Sequence, residues 1–283
     1  MPEAPNDVRT ARARVTAQRV AVLSDLHLGP SGAALAGRPN AALMGRLVRR
    51  LRETHDLLVV NGDLFDLDRS TWPLDHARTY RNALVAHHEI LAQMRGADVL
   101  WTIGNHDAWL EAGIGAKRAV DVAMPAGVVR IEHGHRFDAP IKRLRTFTSL
   151  VTWASGHAAQ GAPRLYRWMR ATERRLITRH DAGCPIERGA RHWLAGHPSY
   201  AMMVIGHTHR PACLDVGGRY VLNPGDAMHE NIGVVSIDGR TGSFEIVCVH
   251  ASGDESTLAN GTWGSGARAP VPFDLVPFNH VND

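Results

Sequence analysis

The sequence predicts an α/β protein whose chemistry collects along one rim of a sheet. Three observations carry that prediction. Short apolar runs of strand length recur along the 283-residue chain. Amphipathic helical stretches separate the first of them, a strand–helix alternation that implies a sheet covered on both faces. Five of the runs end on polar residues able to ligate a metal, and in such sheets ligands gather beyond the carboxyl ends of strands.

The first run is Val20-Ala21-Val22-Leu23, followed by Ser24-Asp25-Leu26-His27-Leu28-Gly29. After a Gly/Pro-rich loop, Asn40 is placed to cap a helix on which Leu43, Leu47 and Leu51 face inward and Arg46, Arg49, Arg50 and Arg52 outward. The second run, Leu57 to Val60, leads into Asn61-Gly62-Asp63-Leu64-Phe65-Asp66. A second helix is predicted after Pro73, with Leu84, Ile90, Leu91 and Met94 buried and Gly96 as its stop. The third run, Val99 to Ile103, ends at Gly104-Asn105-His106-Asp107, and the fourth, Val128 to Ile131, at Glu132-His133-Gly134-His135. Met202-Met203-Val204 precedes Ile205-Gly206-His207-Thr208-His209. A strand at 219–222 and a hairpin, 234–237 with 244–247, complete the pattern.

Asp25 with His27, and His207 with His209, are two residues apart. On extended backbone that spacing aims both side chains at one point, with Gly206 allowing a tight turn.

Between the fourth run and the histidine pair lies an interruption, residues 138–197, too long for a plain connection. It reads as a helical cap. Pro163 suits a first turn, after which Leu165, Trp168, Met169 and Leu176 oppose Arg164, Arg167, Arg170, Arg174 and Arg175. A basic amphipathic face of this kind is either solvated or set against phosphates or an anionic membrane. Residues 1–18 read as a disordered basic tail, 19–250 as the α/β domain, and 251–283 as a flexible Gly/Pro-rich tail.

Composition is that of a soluble globular protein: 44% hydrophobic, 21% charged, formal net charge +4. No run approaches the length of a membrane span. Three scattered cysteines argue against a disulfide framework and fit the reducing cytoplasm, with peripheral contact at the inner face of a membrane if the basic cap engages lipid.

The strand-end set is Asp25, His27, Asp63, Asn105, His133, His207 and His209: two carboxylates, one amide and four imidazoles. One divalent ion cannot use all seven, whereas two sharing a bridge can. The mixed N/O donors suit manganese first, with iron, zinc or nickel as alternatives. Such a pair stabilises both the attacking and leaving oxygens at phosphorus and lowers the pKa of bound water.

Asp25-x-His27, Gly62-Asp63, Gly104-Asn105-His106-Asp107, His133 before glycine, and Gly206-His207-x-His209, in that order, resemble the calcineurin-like metallophosphoesterases. The resemblance implies a two-sheet αββα sandwich with a helical lid insertion. By it Asp25, His27 and His209 hold one metal, Asn105, His133 and His207 the other, and Asp63 bridges. It casts His106 as donor to the phosphate and leaving group, with Asp107 in support. His135, Arg143, Arg145 and Arg210 are substrate-binding candidates.

Within that family, Ser24 to Gly29, Gly62 to Asp66, and His133 to Asp138 resemble the UDP-2,3-diacylglucosamine pyrophosphatase branch. That branch implies a nucleotide-linked lipid diphosphate as substrate at a membrane surface. Two positions depart from it: His106 stands where arginine is frequent, and no tryptophan lies near Ala227. The alternatives are a nuclease or nucleotide phosphodiesterase of the same fold, favoured by the basic clusters, and a non-catalytic scaffold, disfavoured because every ligand position is filled.

Overall fold

Val20 and Val22 point to one side of their strand and Ala21 and Leu23 to the other, and all four are fully buried. A strand hidden on both faces needs a layer on each side. The computed structural model has those layers; it describes residues 12–30, 40–68, 75–110, 115–138, 146, 149–154, 157, 162, 164, 184–228 and 231–263.

Two six-stranded sheets stack face to face. The first runs, in spatial order, β1 (Ala13–Thr16), β5 (Val120–Met124), β6 (Gly127–Ile131), β7 (Tyr200–Val204), β9 (Tyr220–Pro224) and β8 (Pro211–Asp215). The second runs β12 (Glu255–Thr262), β11 (Ser243–Val249), β10 (Ile232–Asp238), β2 (Arg19–Leu23), β3 (Leu57–Asn61) and β4 (Val99–Thr102). Val20, Val22, Val59, Val122, Val129, Ile131, Val204, Leu222, Val235 and Ile237 meet between the sheets. Each such side chain contributes about 1.5–3 kcal/mol by leaving water.

Helices close both outer faces. On the second sheet, α1 (Ala41–Thr54) lays Leu43, Met44, Leu47, Val48 and Leu51 over Ala21, Leu23, Leu58 and Val60. Asn40 caps it, its side-chain oxygen accepting from Leu43 N–H at 3.0 Å. Arg52 grips Asp98 through two N–H···O bonds of 2.6 and 2.8 Å, joining the end of α1 to the approach to β4. The single helix predicted after Pro73 is two, α2 (His76–Ala86) and α3 (His88–Gln93), broken at His87. There the His87 ring is 2.9 Å from the carbonyl of Gly29 in the loop after β2. On the first sheet, α4 (Pro185–Ala195) buries Ala190 and Leu194 against Met203, Ile205 and Val221.

β2, β3 and β4 are mutually parallel, as are β6, β7 and β9. Their carboxyl ends therefore share one rim, where six loops begin.

Two sequence expectations are corrected, and one strand is added. Ala13–Thr16 is not tail but strand β1, parallel to β5. Residues 255–262, assigned to a flexible tail, form β12 antiparallel to β11, and Trp263 beyond it is buried with its indole N–H donating to Ala126 O at 3.0 Å. Strand β5 went unpredicted because Asp121 interrupts its apolar run; that carboxylate is neutralised by Arg130 at 2.9 Å. Of the cap, α4 is helical as expected, while Leu165, Trp168, Met169, Leu176 and Arg167 to Arg175 lie outside the described residues. Among the described residues no helix is long and apolar enough to cross a membrane.

Candidate metal centre

The five non-glycine residues with positive φ among the described residues are Asp25 (55°), His27 (50°), Asp63 (46°), His207 (70°) and His209 (57°). Left-handed backbone costs an ordinary residue about 1–3 kcal/mol and persists where the surroundings over-determine it. Here the surroundings do. His27 N–H donates to Asp63 O at 2.8 Å and Leu28 N–H to Leu64 O at 2.9 Å, lashing the loops after β2 and β3 together. Asn223 donates from its amide to Gly206 O at 3.0 Å and Thr208 Oγ1 at 2.9 Å, clamping the histidine loop. The convergence of His207 with His209, and of Asp25 with His27, thus comes from left-handed loops and not from extended backbone.

Glycines in these loops make room. A Cβ on Gly104 would overlap Asp63 Oδ1, and one on Gly206 would overlap the Ser24 hydroxyl and Asp25 Oδ2. Gly206 lacks a positive φ, so its role is close approach and not the tight turn expected of it. Gly62 needs both freedoms: φ is +75°, and a Cβ would stand 2.5 Å from the His133 ring.

The two carboxylates are held alike. Asp25 Oδ2 accepts from the Ser24 hydroxyl at 2.5 Å and from His207 N–H at 3.0 Å, while its Oδ1 is buried with no hydrogen-bond partner. Asp63 Oδ1 accepts from His106 N–H at 2.8 Å, and its Oδ2 is likewise buried and unbonded. Imidazole nitrogens face those two oxygens. His209 Nε2 is 3.4 Å and His27 Nε2 3.6 Å from Asp25 Oδ1. His133 Nε2 is 3.2 Å and His27 Nε2 3.6 Å from Asp63 Oδ2. Asn105 Oδ1 is 3.2 Å from His133 Nε2.

These separations are mostly long for charged hydrogen bonds. They match ligands that each stand ~2.0–2.2 Å from a shared cation, which lie ~3–3.5 Å from one another. Asp25, His27 and His209 form one compact donor group, and Asp63, His133 and His207 another. The residues present therefore fit two divalent ions, with Asp63 Oδ2 between the groups.

Partners behind the imidazoles orient them, as metal-binding histidines require. His133 Nδ1 is 3.0 Å from Asn61 O, His207 Nε2 is 3.1 Å from Asp138 Oδ2, and His209 Nδ1 is 3.6 Å from Asp226 Oδ2. Asn61 also ties the sheets together, donating to Glu132 O at 3.2 Å and accepting from Thr102 Oγ1 at 2.9 Å. Sequence reasoning gave Asp138, Asp226 and Asn61 no role; the available signal was a carboxylate or amide beside each ligand block.

Without cations the cluster polarises its own members. Burial alone would raise Asp25, yet His133 and His209 overcome it and hold the carboxyl well below the usual range. Asp63 follows the same logic, with His133 and His106 outweighing burial. Burial would lower His133, but Asp63 and Asp25 push it up to about 9. His106 is also raised, Asp66 and Asp63 outweighing burial. For His207 burial wins, and its pKa falls.

His106 lies at the edge of the cluster, its Nδ1 3.0 Å from Asp66 Oδ1 and its ring edge-on to His27. Asp107 lies beneath the rim, fully buried. Its oxygens accept from Gly104 N–H at 2.7 Å and Leu64 N–H at 2.9 Å, so it braces the loops after β3 and β4. Burial, then the Asp63 charge, raises its carboxyl. His135 packs beside His133, ring centroids 5.5 Å apart. Arg210 is exposed just after His209. Arg143 and Arg145 lie outside the described residues.

Comparison with known proteins places the chain in a family. The family model for calcineurin-like phosphoesterases matches residues 18–211. The chain belongs to that family. Among solved structures it is similar to a predicted phosphoesterase from Streptococcus pneumoniae TIGR4, at 14% identity over 85% of this chain and 98% of that one, TM-score 0.40. It is similar to zinc-complexed Vps29 from Entamoeba histolytica, at 15% identity over 84% and 96%, TM-score 0.42. It is similar also to an archaeal phosphodiesterase, at 12% identity over 85% and 99%, TM-score 0.42. No curated protein matches the chain.

Proposed function

We propose that this protein hydrolyses a phosphate ester or diphosphate bond at a two-cation centre. The observation that carries the reading is the matched treatment of Asp25 and Asp63. Each has one oxygen held by protein donors and the other buried, unbonded and turned toward imidazoles. Leaving such oxygens unsatisfied in a protein interior is costly unless a cation completes them. Asp25, His27 and His209 would hold one ion, Asn105, His133 and His207 the other, and Asp63 both; manganese is the first candidate.

When bound, the ions act as Lewis acids on phosphoryl oxygen and supply a nucleophile from water near neutral pH. The chain's own residues do the rest. The loop hydrogen bonds hold the donors in place before substrate arrives, so little reorganisation accompanies the reaction. With Nδ1–H of His106 bonded to Asp66, Nε2 is the atom a substrate reaches. The Asp66 carboxylate behind the ring favours its protonated form. As the phosphorus–oxygen bond breaks, the departing oxygen takes the proton from His106 Nε2.

For the substrate, the sequence blocks shared with the UDP-2,3-diacylglucosamine pyrophosphatase branch and the arginines at 164–175 support a nucleotide-linked lipid diphosphate. The enzyme would then work in the cytoplasm, touching the inner face of a membrane through its cap. The test is product analysis by mass spectrometry with manganese added, on UDP-2,3-diacylglucosamine, a simple aryl phosphodiester, nucleotides and short DNA. Cleavage of the lipid diphosphate in preference to the others is expected. No turnover of any of them with any divalent ion would overturn the hydrolase reading, and preference for DNA would overturn the lipid one.

A further inference from the structure

The stretch Glu132 to Asp138, directly after β6, brings both His133 and Asp138 to the rim. His133 is one of the proposed ligands, and the Asp138 carboxylate is 3.1 Å from Nε2 of another, His207. His133 and His207 stand in the same compact donor group. One short turn therefore serves one ion from both of its ends. Its backbone is tight: Gly134 has φ +93°, and Phe137 N–H donates to Gly134 O and Asp138 N–H to His135 O, each at 3.0 Å. A single 3₁₀ turn of this kind has poor hydrogen-bond geometry and holds its shape weakly by itself.

Side chains pin it. The Glu132 side chain is 5% exposed and takes a guanidinium on each oxygen, Oε2 from Arg130 Nε at 2.6 Å and Oε1 from Arg136 Nε. Arg130 also donates to Asp121 Oδ1 at 2.9 Å, and Asp121 Oδ2 accepts from the Tyr200 hydroxyl at 3.1 Å. Glu132 is thereby anchored across β5, β6 and β7, whereas Arg136 belongs to the turn itself. The Arg136 guanidinium lies over the Phe137 ring, 4.5 Å from its centroid, and 5.3 Å from that of Trp193 on α4. Phe137 in turn packs on Gly189 of α4, where a Cβ would stand 2.9 Å away. An ion pair between two exposed partners contributes little. Here one partner is a buried carboxylate, and stripping a counter-ion from a buried charge is costly.

We propose that Arg136 is a positioning residue of the metal centre: clipped to Glu132, it fixes the turn that sets His133 and carries Asp138 to His207. The inference rests on the two-cation reading and adds that the two ions respond differently. The ion among Asn105, His133 and His207 depends on the clip. The ion among Asp25, His27 and His209, whose ligands lie outside the turn, does not.

The test titrates the full chain with manganese by calorimetry and locates the ions by anomalous diffraction. Arg136→Ala should weaken the ion at Asn105, His133 and His207 by at least about tenfold and leave the other within about twofold of wild type, with circular dichroism unchanged. Arg136→Lys keeps a donor for Glu132 and should show a smaller loss confined to the same ion, which keeps the test alive if Arg136→Ala does not fold. Unchanged affinities, or equal weakening of both ions, overturns this inference and leaves the two-cation centre standing. A wild type that binds fewer than two ions overturns the two-cation reading and this inference together.

Discussion

Ser24 and His207 N–H hold one oxygen of Asp25, and that small device governs the site at the scale of single residues. Asp63→Asn removes the carboxylate proposed to bridge the ions and is expected to abolish hydrolysis and lower metal content together, read by assay and elemental analysis. Gly104→Ala puts a methyl group into Asp63 Oδ1 and is expected to act similarly without replacing any donor residue. Protons compete with metal here. In the metal-free chain His133 sits at about 9, so ion uptake at neutral pH displaces its proton. Apparent affinity should climb with pH between 7 and 9, by up to about tenfold per unit for each proton displaced, His27 being raised as well as His133. Calorimetry in two buffers of different ionisation enthalpy reads the released proton; an affinity flat from pH 7 to 9 contradicts the account.

Stability of the metal-free chain has the corresponding signs. His133, raised, contributes fully below its ordinary 6.5 and loses that contribution as pH rises through about 9. Asp25 and Asp63, depressed, contribute above 3.8 and lose it as pH falls below. Thermal melts across pH should therefore fall off on both sides. The residues that gather at the rim were legible from residue type and spacing. Their left-handed backbone was not, because a positive φ at Asp25 or His209 is imposed by partners such as Gly62 and Asn223 that are remote in sequence.

Among the elements, α1 is the clearest test of packing. Leu47 is 3% exposed within the helix–sheet cluster, so Leu47→Ala should cost about 2–5 kcal/mol of stability while metal content is unchanged. Denaturant unfolding measures the one and elemental analysis the other. α1 could be read in advance since its leucine period and Asn40 cap are local signals. β12 could not. Its residues, Glu255 to Thr262, are mostly polar and become a strand only by pairing with β11. Ending the chain at Ala251 should expose the β11 edge and Phe244, which packs under Gly261, and so lower the melting temperature.

The whole molecule is a device for bringing two sets of parallel strands to one rim. β2, β3 and β4 deliver Asp25, His27, Asp63 and Asn105 from one sheet; β6 and β7 deliver His133, His207 and His209 from the other. The strand ends were visible as motifs, whereas the division into two sheets came only by resemblance, since no local pattern records which strands are neighbours. Because the rim exists only in the folded chain, bound ions should stabilise it: about 2.7 kcal/mol for each site filled at a hundred times its dissociation constant. Chelation should lower the melting temperature and remove activity, and restoring manganese should return both.

The central claim is tested most directly by anomalous diffraction from crystals soaked in manganese. The account predicts two peaks at the rim, one among Asp25, His27 and His209, the other among Asn105, His133 and His207, with Asp63 Oδ2 reaching both. An empty rim, or peaks that Asp63 does not join, would contradict it.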